Sequence, residues 1–393
     1  MRTWPLSSFE KLSTPFYFYD MEMLEKHLLI ASSAAKKYGY SIHYAIKANH
    51  NSRILNSMKM AGFGVDCVSE NELLLALNSN FSASKILLAG VGKTDNEIRL
   101  AIKNSIAAIH VESIEELEVI NELAGEMNKR VRVALRINPD VNANTHPSIT
   151  TGLSENKFGI SLRKINELIP MAKELDYIDI IGLHFHIGSQ IEDLEVFKSL
   201  SLRVNEIWSY FISSGFSFSY LNLGGGLGVD YFSPDENVAP FDPYFNIFKD
   251  NLEVGEETEI HFELGRSLIA HSGSLISKVL FVKKGDEKDF LILDAGMTEL
   301  MRPALYNSYH QIDNLSAVGE KHIYDIVGPV CESSDTFAQK RAITKSNRND
   351  IVAIRSAGAY GEVMSSNYNL RPSPKAVFSD ELSLIDHQLK LVV

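Results

Sequence analysis

An amine, an imidazole, a glycine run and a carboxylate recur at equivalent points along this 393-residue chain, each just after a short apolar, β-branched stretch. Lys47 stands in YAIKAN, His186 and Ser189 in HIGSQ, Gly224, Gly225 and Gly226 in LNLGGGLG, and Glu263 and Arg266 in ELGR. Asp66, Glu112, Arg136 and Asn138 occupy similar places. A primary amine can bond covalently to a carbonyl compound. Glycine N–H groups, unshielded by side chains, suit a phosphate, and an imidazole has the size and shape to cover a flat ring. Together these groups suit an aldehyde that also carries a phosphate. Taken singly, each has a plainer reading at about equal weight. Asp66 and Arg136 can pair as a salt bridge, His186 can be a satisfied core histidine, and GGGLG can be a tight turn.

Other chemistries fit less well. AGVGKT lacks the first glycine of a nucleotide P-loop, since Leu87 stands there, and Val229 replaces the third glycine of a dinucleotide fingerprint. Cys67 and Cys331 have neither zinc-site spacing nor the number needed for a disulfide framework, so no metal is expected. A formal net charge of -12 argues against a nucleic-acid partner. With 45% hydrophobic residues the chain can build a large core, yet no apolar run reaches membrane-spanning length. The opening MRTWPLSSFEKL lacks an apolar leader core. A cytoplasmic protein acting on a small molecule, without membrane attachment, is the expectation.

The elements that must position these groups follow from the pattern. Eight apolar runs alternate with segments of helical period: IHYAIKA, FGVDCVS, KILLAG, AAIHVES, VRVALRIN, IIGLHFHIG, YLNLGGG and EIHFELG. Eight β/α units predict a TIM-like (β/α) barrel over residues 21–265. In such a barrel the site forms at the C-terminal ends of the strands, which is where the polar groups lie. Capping pairs open several helices, with Ser69, Thr94 and Ser113 each followed three residues later by Glu. Beyond residue 266 short strands separated by polar turns predict a mainly β domain over 266–393. The strand-like TPFYFYD within residues 1–20 is expected to join it.

At the same residues the chain resembles the fold-type III pyridoxal-phosphate decarboxylases, the family acting on diaminopimelate, ornithine and arginine. YAIKAN is similar to the segment whose lysine carries the cofactor, here Lys47. HIGSQ is similar to the segment whose His stacks on the cofactor ring and whose Ser meets the phosphate. LNLGGGLG resembles the phosphate-binding glycines, and ELGR the family's Glu-Pro-Gly-Arg element. GPVCESSD resembles the stretch with a catalytic Cys and an acidic substrate ligand, Cys331 and Glu332. THPSITTGLSENKFGI, LMRPALYNSYH and AGAYGEVMSSNYNLRPSP resemble the branch that converts meso-2,6-diaminopimelate to L-lysine and CO₂. Leu264 in place of Pro, Ser373 in place of a second Arg and SENE without its glycine depart from the pattern but remove no reacting group.

The resemblance implies pyridoxal 5'-phosphate held by Lys47, Asp66, His186, Ser189, Gly224, Gly225, Gly226, Glu263, Arg266 and Tyr368. Glu263 would keep the ring nitrogen protonated. Cys331 would return the proton, entering from the partner in a homodimer with shared active sites. Arg266, Arg302, Tyr306, Glu332 and Tyr368 would contact the amino-acid substrate, Arg302 suiting a distal carboxylate that ornithine lacks. The alternatives are a sister decarboxylase acting on ornithine, arginine, lysine or a carboxylated polyamine, and a non-catalytic regulatory homologue.

Overall fold

Eight parallel strands close on themselves in one of the two compact units into which the chain divides. This computed structural model describes residues 3–141, 157–235 and 238–382. The first unit comprises Leu28–Gly228 and Ala239–Ser267; the second comprises Met1–His27, Val229–Val238 and Leu268–Val393. Among the described residues no helix is long and apolar enough to cross a membrane.

The barrel strands are Ser41–Ala45, Gly64–Cys67, Ile86–Leu88, Ala108–Val111, Val131–Asn138, Ile178–His184, Tyr220–Asn222 and Glu259–Leu264. Each pairs in parallel with the next, and Glu259–Leu264 returns to Ser41–Ala45, with Glu263 opposite His43. Every one of the eight apolar runs read from the sequence supplies one strand. Strands buried on both faces need such continuous apolar runs, because helices cover the outside and side chains fill the inside.

Capping fixes where several helices start. Thr94 accepts from the Glu97 N–H at 3.3 Å while Glu97 accepts from the Thr94 N–H at 2.7 Å, a reciprocal box. Ser69 and Ser113 cap their helices in the same way, through the N–H groups of Glu72 and Glu116. There, however, the glutamate reaches one residue further back, accepting from the N–H of Val68 and of Glu112. The same side chains thereby tie the strand's end to the helix's start. Packing supplies the rest. Phe241–Asn251 buries Phe241, Tyr244, Phe245 and Phe248 along one face, and Phe245 meets Phe262 edge-on at 4.9 Å. Truncating such a buried ring costs about 3–5 kcal/mol.

The second unit holds an eight-stranded mixed sheet. Its long central strand Gly273–Lys284 pairs with Phe16–Tyr19, Asp289–Leu293 and Ile351–Ile354. Phe16–Tyr19 also runs parallel to Lys375–Phe378. FYFY is buried on both faces. Phe16 and Phe18 pack edge-on against Phe9 at 5.4 and 4.9 Å, and on the other face Tyr17 donates to the Glu299 carbonyl at 2.7 Å.

Candidate active site

Lys47 follows its strand directly, in the 3₁₀ turn Ile46–Ala48. Its side chain is 44% exposed, and its amine stands 3.6 Å from Asp66 Oδ2 on the neighbouring strand. Asp66 is buried, and neither carboxylate oxygen has a hydrogen-bond partner among the described residues. Burial therefore pushes its pKa well up, the charge of Glu263 adds to this, and Lys47 opposes it. The expected alternative for Asp66, a salt bridge with Arg136, does not form. Arg136 Nη1 donates instead to Glu112 Oε1 at 2.6 Å, and Glu112 also accepts from the N–H groups of Gly90 and Gly159. Glu112 and Arg136 satisfy each other at the rim, which leaves Asp66 to Lys47.

The glycine run sits where three strand ends crowd. A Cβ on Gly224 would come within 2.3 Å of the Phe185 carbonyl, one on Gly225 within 2.0 Å of the Glu263 carbonyl. Gly224 and Gly226 adopt φ of 67° and 111°, a backbone that glycine reaches without strain. Two of the N–H groups are already engaged: Gly224 donates to Asn222 Oδ1 at 2.8 Å and Gly225 to His186 Nδ1 at 3.1 Å. His186 is thus held by the run that the sequence reading treated as a separate anion site. As Nδ1 accepts, the ring is neutral with its proton on Nε2, and burial lowers its pKa to about 3. Arg266 donates to Ser189 at 3.2 Å, which brings together two more of the expected residues.

Glu263 lies at the end of its strand inside a buried polar cluster. His184 Nε2 is 3.2 Å from Oε2, Asn222 Nδ2 donates to Oε1 at 2.9 Å, and His110 Nδ1 lies 3.1 Å from Oε1, close but out of line for full alignment. Burial by itself would raise its pKa. The facing His184 and His110 outweigh burial and hold the carboxyl well below the usual range. None of His110, His184, Asn222 or Tyr220 was singled out from the sequence. A signal was available, since a histidine in the middle of an apolar strand run is a polar group that a closed barrel must bury.

The remaining expected residues lie in the second unit. Cys331 and Glu332 are exposed on the turn that joins Lys321–Val327 to Thr336–Thr344. Asp335 builds that turn by accepting from the N–H groups of Val330 and Met297 at 2.7 and 2.6 Å. A Cβ on Gly328 would press on the same carboxylate at 2.3 Å, so Gly and Asp at the two ends of GPVCESSD serve one piece of geometry. Tyr368 donates to Glu332 at 2.8 Å. Arg302 is buried, stacks over Tyr231 at 5.0 Å and contacts His310 Nε2 at 2.8 Å. His310 Nδ1 lies 2.7 Å from the Arg355 carbonyl and must donate to it, so Nε2 is a lone pair aimed at the guanidinium. Tyr306 is half-buried at the end of the helix Arg302–Tyr306. Of the segments resembling the diaminopimelate branch, THPSITTGLSEN (145–156) lies outside the described residues.

A half-exposed amine over an orphaned buried carboxylate, with an ionised glutamate and a neutral imidazole on the same barrel, fits an electrophilic aldehyde cofactor that brings its own positive charge. The comparisons agree. The family model described as pyridoxal-dependent decarboxylase, pyridoxal binding domain, matches residues 23–270, more than half of the chain. The chain belongs to this family. Its cofactor is pyridoxal 5'-phosphate, and it is a carboxy-lyase. Among relatives of this pyridoxal-dependent decarboxylase, the diaminopimelate decarboxylase of Bacteroides thetaiotaomicron is 49% identical over 96% of this chain and 98% of that protein. That of Aquifex aeolicus is 39% identical over 95% and 89%. The crystal structure of diaminopimelate decarboxylase from Helicobacter pylori complexed with L-lysine aligns with a TM-score of 0.89 at 37% identity, covering 98% of this chain and 99% of that one.

Proposed function

We propose that this chain decarboxylates meso-2,6-diaminopimelate to L-lysine and CO₂, the last step of lysine biosynthesis. The observation that carries the reading is 49% identity to a diaminopimelate decarboxylase across nearly the full length of both chains. Arg302 supports it: a buried guanidinium, oriented by a ring face and a histidine lone pair, suits a carboxylate at the far end of the substrate.

When bound, pyridoxal 5'-phosphate supplies the electron sink that makes loss of CO₂ from the α-carbon feasible. Lys47 would hold the cofactor by its carbonyl carbon, within reach of the substrate amine. Asp66 would keep the Lys47 amine oriented at the barrel mouth. Glu263, ionised, would hold a proton on the ring nitrogen, and His186 would cover one ring face. Ser189, Arg266 and the run Gly224–Gly226 would hold the phosphate, and the hydroxyl of Tyr368 would add to them.

The reading extends to a homodimer in the cytoplasm. The partner subunit's Cys331 then returns the proton to the α-carbon, and the partner subunit's Glu332 meets the distal amine beside Tyr306. The exposed turn that carries Cys331 is stiffened by Asp335, which suits a residue that works by protruding.

The test is CO₂ release from a panel of amino acids with the wild type and Arg302→Ala. Diaminopimelate should be the preferred substrate, with lysine and ornithine poor. Arg302→Ala should lower kcat/KM for diaminopimelate about a hundredfold, roughly 3 kcal/mol, with cofactor absorbance intact. The preference over lysine should shrink, since lysine never makes the lost contact. Equal losses on both substrates would overturn the assignment of Arg302.

A further inference from the structure

The buried polar groups around Glu263 have a readable polarity. Asn222 Oδ1 accepts from the Gly224 N–H, so its amide nitrogen must face the other way. That nitrogen has two hydrogens and two partners, Glu263 Oε1 and the Tyr220 hydroxyl, each at 2.9 Å. Having accepted from Asn222, the Tyr220 hydroxyl has its own proton to give, and His110 Nε2 lies 3.0 Å away. His110 Nε2 is therefore the acceptor, and its proton sits on Nδ1, the atom 3.1 Å from Glu263 Oε1. On the other side His184 Nε2 meets Oε2 at 3.2 Å, and an ionised carboxylate can only accept. The two imidazoles stack at 4.0 Å, so both being charged would be repulsive.

We propose that His110 and His184 are positioning residues: both neutral, one protonated on Nδ1 and the other on Nε2, they hold Glu263 ionised and in one orientation toward the cofactor's ring nitrogen. Asn222 and Tyr220 set the first tautomer, and the Gly224 N–H sets Asn222. The inference rests on the reading that Glu263 faces that nitrogen. Burial lowers the pKa of His184 to about 3. The donor atoms of His110, His184 and Glu263 lie within 4.8 Å of one another, a spacing that also suits a metal. The traced polarity puts a proton, not a lone pair, on each histidine nitrogen that faces the carboxylate, so His184 makes a hydrogen bond to Glu263 and His110 a close N–H contact, and no metal is called for.

The arrangement matters because a buried carboxylate costs stability unless donors meet it, and freely rotating donors would follow a proton instead of holding one in place. Here each donor is fixed by a second hydrogen bond, by ring stacking or by both. Neither histidine touches the reacting atoms, so their effect is carried entirely by Glu263.

Phe and amide substitutions separate positioning from packing. His184→Phe and His110→Phe should lower kcat roughly 10- to 100-fold, as expected for lost hydrogen bonds to a charged group, with little change in KM. Their bound cofactor should show a pH-dependent visible spectrum across the neutral range, because its ring nitrogen is no longer held protonated. His184→Gln and His110→Asn, which return an N–H at the same place, should recover most of kcat and the pH-independent spectrum. Folded Phe variants with wild-type kcat and spectrum, or amide variants no better than Phe at equal thermal stability, would overturn the inference. Nitrogen-15 spectra of histidine-labelled holoenzyme give a readout that needs no variant. They should place His110 as the Nδ1–H tautomer and His184 as the Nε2–H tautomer; the opposite tautomers or a charged ring would overturn it. Glu263→Gln is the control. If it alone keeps full kcat, the placement of Glu263 against the cofactor is what fails. If it collapses activity while the histidine variants do not, only the positioning role fails.

Discussion

Glu263 and Asp66 are both buried carboxylates on the barrel wall, two strands apart, and their surroundings are opposite. Glu263 has His184, His110 and Asn222 arrayed on its two oxygens; among the described residues Asp66 has no hydrogen bond, and the Lys47 amine stands 3.6 Å away. One pKa is held down and the other pushed up. Environments that push two carboxyls apart on one barrel mark different tasks for each. The protein completes Glu263 by itself, whereas Asp66 is left to be compensated by Lys47 and whatever Lys47 carries. The contrast separates a preorganised electrostatic element from a receptive one.

The sharpest way to break the comparison is Lys47→Ala. Visible cofactor absorbance and CO₂ release should both vanish if Lys47 is the attachment point, as proposed. Retained absorbance with a borohydride-reducible adduct would move the cofactor elsewhere and leave Asp66 unexplained. The same variant examines the dimer. Mixed with Cys331→Ala subunits, which should be inactive as well, it should regain part of the activity through hybrid dimers; no recovery despite proven subunit exchange would point to a site within one chain.

A smaller effect is expected where the glycine run touches Glu263. Gly225→Ala puts a Cβ within 2.0 Å of the Glu263 carbonyl, so the strand end must move. Overpacking of this kind costs roughly 1–3 kcal/mol. Calorimetry should show Tm falling by about 2–4 °C per kcal/mol, with weaker cofactor retention. An unchanged Tm would mean that the strand end yields freely, and Glu263 would then not be preorganised.

The least effect belongs to Asp66→Asn in the cofactor-free protein, where the sign is informative. Because the folded-state pKa of Asp66 is raised, the folded chain is penalised progressively as pH rises above about 3.9, its unfolded value, toward that raised pKa. The asparagine does not titrate. The variant should therefore gain in Tm relative to wild type as pH rises through this window. A Tm difference that does not vary with pH would mean that Asp66 is as well satisfied as Glu263, and the contrast would dissolve.

Much of the architecture was legible because it depends on local pattern. The eight strand runs, the caps at Ser69, Thr94 and Ser113, and the pairing of TPFYFYD with the β unit all follow from neighbours in sequence or from continuous apolar stretches. The caps were legible only in part. That Glu72 and Glu116 reach past their caps to Val68 and Glu112 depends on the angle at which strand meets helix, which sequence does not specify. Pairings across the mouth were less legible still. Arg136 chose Glu112 over Asp66, and the choice turns on which strands are adjacent: Ala108–Val111 pairs directly with Val131–Asn138, and Gly64–Cys67 does not.

The sequence by itself determined the barrel, the β unit, the family and which residues are candidates for the chemistry, because apolar period and chemical type are properties of single residues and short segments. Only the tertiary structure decided how those groups are charged. The protons on His110, His184 and His186 are assigned by partners on other strands, through Asn222, Tyr220, Glu263 and the glycine run. A hydrogen bond depends on direction over a few ångströms, and barrel closure brings together side chains from strands that the sequence holds far apart.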